Sequence, residues 1–187
     1  DPALRNTYVA YGAHYDHIGI QPAVNGDSIA NGADDDGSGS MLQLSVARTF
    51  AQGPKPKRSV LFVWHVGEEK GLFGSDVFTS NPTVPLDSIV AQLNADMVGR
   101  NGDDSLYIVG PGAAPNGQSS VLGAVIDSVN AKQARPFVFN REWDTTTHPE
   151  RIYYRSDHFN YARKGIPIVF FTTGLHPQYH QVTDEAG

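Results

Sequence analysis

Five short apolar segments, separated by more polar sequence, predict the strands of a single sheet. They occupy residues 8–13, 59–66, 89–98, 105–110 and 166–173. Several are continuous apolar runs, such as "SVLFVWHV", rather than alternations of apolar and polar residues. Continuous runs are typical of strands that are covered on both faces. We therefore expect this sheet to lie between two other layers.

Three segments between the strands have the apolar spacing of helices. The predicted helices cover residues 38–51, 118–132 and 156–164. In the first, Leu42, Val46 and Phe50 recur four residues apart, which places them on one helix face. Ser156 is the expected N-cap of the third. Strands that alternate with helices predict an α/β fold, here a three-layer α/β/α sandwich around a mostly parallel mixed sheet.

Length and charge narrow the range of partners. The 187 residues, 40% of them hydrophobic, are enough for one domain with a substantial core, and we expect 1–187 to be a single catalytic domain. Fourteen basic and 20 acidic residues give a net charge of −6, and no run of Lys or Arg could follow a phosphate backbone. Nucleic acid is therefore not an expected partner. No apolar segment approaches the roughly 18 residues of a membrane span.

The chain has no cysteine, which excludes disulfides and thiolate metal sites. Any metal ion must therefore bind through His, Asp and Glu.

The stretch "NGADDDGSGS", residues 31–40, places three carboxylates side by side before a predicted helix. One acid would satisfy the first N–H groups of the helix, whereas three repel one another unless a cation lies beside them. The spacing does not fit an EF-hand calcium loop. Three acids would also repel a bound phosphate. The stretch therefore predicts a cation site of another kind.

Other groups able to bind metal or move protons follow the predicted strands. His14 and Asp16 follow the first strand, Glu68 and Glu69 follow the second, and Asp96 lies near the end of the third. Functional sites of open α/β sheets form beyond the carboxyl ends of the strands. We therefore expect these side chains to converge at one edge of the sheet.

Five motifs together carry a resemblance to a known family. They are "AHYDHIG" (13–19), "NGADDDGSG" (31–39), "VGEEKGLFGS" (66–75), "NADMVGR" (94–100) and "YHQVTDE" (179–185). In this order they resemble the dinuclear zinc aminopeptidases of the M28 metallopeptidase family. The phrase "RSDHFNYARKGIPIVFFTTG" (155–174) resembles the link that precedes the last motif in that family. The resemblance covers almost the whole chain.

The resemblance implies two Zn²⁺ ions and five protein ligands. The ligands are His14, Asp35, Glu69, Asp96 and His180. Asp35 bridges the ions, one of which also takes His14 and Asp96 and the other Glu69 and His180. Two zinc ions bring four positive charges, which the three carboxylates and a bridging hydroxide neutralise. Such a pair acidifies the bound water and polarises a carbonyl group.

Four further residues have roles that the resemblance implies. Glu68 is the general base, which takes the proton from the metal-bridging water and delivers it to the leaving amine. Asp16 accepts the second ring N–H of His14 and orients that imidazole. Tyr179 bonds the developing oxyanion and Arg155 contacts substrate. For Tyr179 simple packing, and for Arg155 pairing with a neighbouring acid, remain open alternatives.

The three consecutive acids are expected to differ in role. Asp35 is the metal bridge, Asp36 serves the start of the helix, and Asp34 is an outer or solvent-facing residue that is dispensable. The other histidines are assigned no metal. They are His17, His65, His148, His158 and His176.

The function that the resemblance implies is hydrolysis of the N-terminal peptide bond of peptides with a free N-terminus. Three alternatives stay open: a glutaminyl cyclase with one zinc ion, a carboxypeptidase of the same fold, and a non-catalytic binding domain. The complete ligand set favours a hydrolase.

The resemblance also carries expectations about the larger protein. The chain is expected to be the core of a longer, exported protein, without the N-terminal elements and the C-terminal helix usual in the family. Residues 141–154 are the expected wall of the substrate pocket. Oligomeric state is left open.

Overall fold

The computed structural model describes residues 1–186, in which a six-stranded mixed sheet forms the centre. The strands are β1 Tyr8–His14, β2 Gly19–Val24, β3 Asp27–Ala30, β4 Ser59–His65, β5 Ile89–Ala95, β6 Ser105–Val109, β7 Val138–Asn140 and β8 Ile168–Thr172. The sheet order is β4-β1-β5-β8-β6-β7, and β2 and β3 form a separate antiparallel hairpin. All neighbours in the main sheet are parallel except β6 and β8. The mostly parallel mixed sheet is confirmed.

Helices cover both faces of this sheet. They are α1 Gly39–Gln52, α2 Phe73–Ser80, α3 Ser120–Asn130 and α4 His158–Arg163. Phe50 of α1 packs against Phe62 of β4, whereas Tyr161 of α4 packs against His65 of the same strand. Because side chains alternate along a strand, Phe62 and His65 point to opposite faces. The three-layer α/β/α sandwich is therefore confirmed.

The predicted strands and helices all occur, with ends shifted by a few residues. Three of the five strands, β1, β5 and β8, are largely buried, but β4 lies at the edge of the sheet and is mostly half-buried. The β2–β3 hairpin, β7 and α2 were not predicted. The hairpin is mostly exposed, β7 has three residues and α2 has eight, so none carries a long apolar pattern.

Four neighbouring strands point their carboxyl ends to the same edge of the sheet. These are β4, β1, β5 and β8, which are parallel to one another and adjacent in that order. The loops that follow them therefore begin side by side. Within residues 1–186 no helix has the length and apolar character needed to cross a bilayer.

Candidate metal centre

The loops at this sheet edge bring together the polar residues predicted from the sequence. β1 ends at His14, and Asp96 directly follows β5. Glu68 and Glu69 lie in the loop after β4, and His180 lies in the segment after β8. The expected convergence of the residues that follow β1, β4 and β5 is confirmed, and His180 joins them.

His14, Asp35 and Asp96 form the first group of possible metal ligands. His14 Nε2 lies 3.2 Å from Asp35 Oδ1 and 3.6 Å from Asp96 Oδ2. All three residues are buried. Their ligand atoms are close enough to surround one ion.

The second group forms around the other oxygen of Asp35. His180 Nε2 lies 3.2 Å from Asp35 Oδ2 and 3.0 Å from Glu69 Oε2. Asp35 thus presents one carboxylate oxygen to each group. This arrangement suits a carboxylate that bridges two ions.

The distances within the two groups can be compared with a zinc site. Zinc lies about 2.0–2.2 Å from His and carboxylate ligands, so ligand atoms at tetrahedral angles are about 3.3–3.6 Å apart. The separations from His14 and His180 to their partners, 3.0 to 3.6 Å, lie around this value. The residues present therefore fit two zinc ions.

Several ligand atoms also lack other partners. Within residues 1–186, His14 Nε2, Glu69 Oε1 and Asp96 Oδ1 are buried and make no hydrogen bond. A buried polar atom without a partner is destabilising by about 1–3 kcal/mol. These atoms belong to three of the five expected ligand residues, and a cation bound beside them would satisfy them.

Without metal, protons balance part of the negative charge. Burial would lower the pKa of His14, but the charge of Asp96 and the close approach of the Asp35 carboxylate raise it well above its usual value. The close approach of the Asp35 and Glu69 carboxylates raises the pKa of His180 to about 9. Burial would raise the pKa of Asp35, but the two neighbouring histidines lower it. Metal binding would release these protons.

Glu68 lies beside the two groups and lines the same pocket as Asp35 and Asp96. Burial, followed by the charge of Asp96, raises the pKa of Glu68 to about 9, although His14 opposes this shift. Cations at the two positions would lower that pKa again. Glu68 is therefore a carboxyl group that can hold a proton beside the site.

Asp16 supports the site differently from the expectation. His14 Nδ1–H donates to the backbone carbonyl of Asp16 at 2.9 Å, whereas the Asp16 carboxylate lies 3.7 Å away from that ring atom. The carboxylate instead accepts the backbone N–H groups of Glu68 and Glu69, at 3.2 and 3.4 Å. The predicted carboxylate bond to His14 is wrong, because the side chain reaches the loop after neighbouring β4.

Asp96 is held by a buried chain of hydrogen bonds. Ser156 Oγ donates to Asp96 Oδ2 at 2.6 Å and accepts from Asn94 Nδ2 at 2.8 Å. The prediction of Ser156 as a helix N-cap is wrong: α4 begins at His158 after Asp157, and the Ser156 hydroxyl is used to orient Asp96.

Asp36 and Asp34 also have defined partners. Asp36 accepts the backbone N–H groups of His14, Gly39 and Met97, so it joins the end of β1, the start of α1 and the loop after β5. The expected role at the helix start is confirmed.

Asp34 is buried, accepts the Gly99 N–H at 2.6 Å and lies 3.1 Å from His176 Nε2. Of the two positions expected for Asp34, the solvent-facing one is wrong, because loops distant in sequence cover this residue. The outer position beside the metal bridge stays a prediction.

Asp184 and Arg100 are supporting residues that sequence reasoning missed. The buried Asp184 carboxylate accepts the backbone N–H groups of Asp34 and Asp35. Arg100 donates to the same carboxylate at 2.9 Å. Both residues occur within the quoted motifs, but only the folded chain places Asp184 beneath Asp35 and so fixes the backbone there.

The pocket above the site combines acidic and apolar walls. Arg155 Nη2 donates a hydrogen bond to the Tyr179 hydroxyl oxygen at 2.9 Å, and the Tyr179 ring stacks on that of His180. Trp143 and Ile152 line the pocket. These two residues belong to the segment 141–154, whose role as a wall of the substrate pocket stays a prediction.

The other histidines have different surroundings. His65 and His158 are buried beside Tyr161 and Phe170, and burial lowers the pKa of His65 to about 4 and that of His158 to about 3. Both are core residues. His148 is part of neither ligand group and lies near Glu142 and the ring of Trp143. His17, which was not expected to bind metal, lies beside Glu69. In the sequence, its position three residues after His14 in "HYDH" was the feature that could have pointed to it.

Two adjacent His-carboxylate groups at the strand ends of an α/β sandwich form a candidate two-metal site, of a kind that occurs in hydrolytic enzymes. The sequence matches Peptidase family M28 over residues 1–187, and the chain belongs to this family. It is 31% identical to the probable leucine aminopeptidase 1 of Trichophyton verrucosum (strain HKI 0517) over 196 aligned residues. The alignment covers 98% of this chain and 49% of that protein, so the chain spans about half the length of this relative.

Solved structures share the fold. A zinc aminopeptidase from Bacillus subtilis superposes with a TM-score of 0.68 and 21% identity, covering 97% of this chain and 41% of that one. A glutaminyl cyclase from Porphyromonas gingivalis gives a TM-score of 0.72 and 21% identity, covering 97% and 66%. Proteins with different activities thus share this architecture, and the side chains of the site have to distinguish between them.

Proposed function

We propose that this protein is a two-zinc aminopeptidase, which hydrolyses the N-terminal peptide bond of peptides. The observation that carries the proposal is the Asp35 carboxylate, with one oxygen in each of two His-carboxylate groups. A site for a single ion would not need a carboxylate shared in this way. Glu68 at the wall of the same pocket adds a group that can exchange protons.

Five residues would hold the two ions. His14 and Asp96 would bind one, Glu69 and His180 the other, and Asp35 both. When bound, the pair would acidify a water molecule and polarise the substrate carbonyl. The Asp16 carbonyl would keep the proton of His14 on Nδ1 and leave Nε2 free to bind metal.

Glu68 is the proposed general base. Its carboxylate would accept a proton from the attacking water and donate it to the amine that leaves. Asp16 fixes the backbone at Glu68 and Glu69, so the base and a metal ligand share one support. Burial raises the pKa of the Glu68 carboxyl group, and two bound cations would lower it again towards neutral pH, where a general base can exchange protons.

The pocket also suits a peptide N-terminus. The pocket is lined by Glu68, whose carboxyl group is not a proposed metal ligand, and by apolar Trp143 and Ile152. An α-ammonium group would be attracted to the Glu68 carboxylate while an apolar side chain packs against Trp143 and Ile152. The roles of Tyr179 toward the oxyanion and of Arg155 toward substrate stay predictions, as do export and a single catalytic domain over 1–187.

Blocking the substrate amine tests this proposal. Leucine p-nitroanilide should be hydrolysed with a kcat/KM more than about 100-fold above that of N-acetyl-leucine p-nitroanilide, because the acetyl group removes the positive charge. Initial rates with both substrates measure the ratio. Equal rates, or a preference for the blocked substrate, would rule out an aminopeptidase.

A further inference from the structure

His17 lies beside the second group of ligand atoms without being needed for the two-metal assignment. Its Nδ1 is 2.7 Å from Glu69 Oε1 and 3.9 Å from Asp35 Oδ2. One ligand atom of each of three residues, His17, Asp35 and Glu69, lies within 4.8 Å of the other two. The ring of His17 also meets the ring of His180 edge-on, with centroids 5.7 Å apart.

The side chain of His17 is buried but not satisfied by hydrogen bonds. It is only 6% exposed. In the part of the chain that the structure describes, both ring nitrogens are buried and lack a hydrogen-bond partner. The short approach to Glu69 therefore does not have the angles of a hydrogen bond, and Glu69 Oε1 is itself unpartnered. A cation near both atoms would satisfy them together.

The backbone holds the ring of His17 in this position. Gly32, which precedes the acidic residues, has a positive φ of 65°, and a Cβ there would lie 2.4 Å from His17 Cγ. The ring thus packs directly on the backbone that leads to Asp35. Packing therefore fixes the position of the ring beside the acidic residues, and the His17 side chain is not a flexible group at the surface.

On the two-metal site proposed above, we infer that His17 is a further ligand of the second ion. Together with Asp35, Glu69 and His180 it provides four protein ligands, the number in closed zinc sites. The first position, with His14, Asp35 and Asp96, has three, the number in zinc sites that keep an open position. The second position should therefore bind metal more tightly than the first.

The test is a Co²⁺ titration of the metal-free protein, followed by visible absorption and by the bound metal content. Wild-type protein should bind two ions in a tighter and a weaker step. His17→Ala should weaken the tighter step by more than the about 10–100-fold typical of residues that only support a ligand. It should also change the absorption bands of that ion, while the weaker step stays unchanged.

His17→Asn separates a ligand from a hydrogen-bond donor, because the Asn amide can still donate to Glu69 but has no imidazole nitrogen. It should behave like His17→Ala. His148→Asn, the same change at a histidine outside both ligand groups, should match wild-type protein. Circular dichroism of the metal-free variants checks folding.

Two results would overturn the inference: wild-type affinities and spectra in both His17 variants, or full recovery of both in His17→Asn. Either would leave two-ion binding by wild-type protein intact. Failure of wild-type protein to bind two ions would instead contradict the proposed function.

Discussion

Glu68→Gln is expected to lower kcat by about 10²–10⁴-fold while both metal ions stay bound. The amide has nearly the size of the carboxyl group but cannot accept the proton of the attacking water. This loss corresponds to about 3–5 kcal/mol of transition-state stabilisation. Steady-state kinetics and metal analysis of the same preparation would measure both quantities.

The matched control for this variant is Glu142→Gln, the same change at an exposed residue. It should keep wild-type kcat and metal content. Loss of metal in Glu68→Gln would mean that Glu68 is a ligand and that the general base has been wrongly assigned.

Asp35→Asn should remove metal rather than slow the chemistry of a loaded site. Asp35 contributes an oxygen to each group, so a neutral amide in its place weakens both positions at once. It also leaves His14 and His180 without their shared carboxylate. We expect less than one bound ion per chain after dialysis and a kcat/KM more than about 100-fold below wild type.

Asp103→Asn, at an exposed position outside the site, is the control for Asp35→Asn. It should retain two ions and full activity. If Asp35→Asn itself kept two ions with unchanged affinity, Asp35 would not be the bridge, and the assignment of the three acids would have to be shifted to a neighbouring residue.

The residues at the strand ends could be predicted for two reasons. Apolar runs mark the strands locally, and parallel strands bring their carboxyl ends to one edge of the sheet. His14 and Asp96 follow continuous apolar runs, and parallel strands place such residues at one edge. The choice of Asp35 among three acids depended on the register of the motif. Elementary electrostatics could only say that three adjacent carboxylates require a cation.

Contacts between distant segments were not predictable from one sequence. The burial of Asp34 depends on His176, and the support of Asp35 depends on Asp184, both in the segment after β8. Local geometry misled in the case of Asp16, since the pattern does not show whether the carbonyl or the carboxylate meets His14. His17 was missed because its place depends on packing against Gly32.

The most direct test of the central claim is to titrate metal-free protein with Zn²⁺ while following hydrolysis of leucine p-nitroanilide and measuring bound zinc. The proposed function predicts that activity appears on zinc addition and reaches its maximum at two ions per chain. Two bound ions without hydrolysis of this or any other free-amine substrate would contradict it.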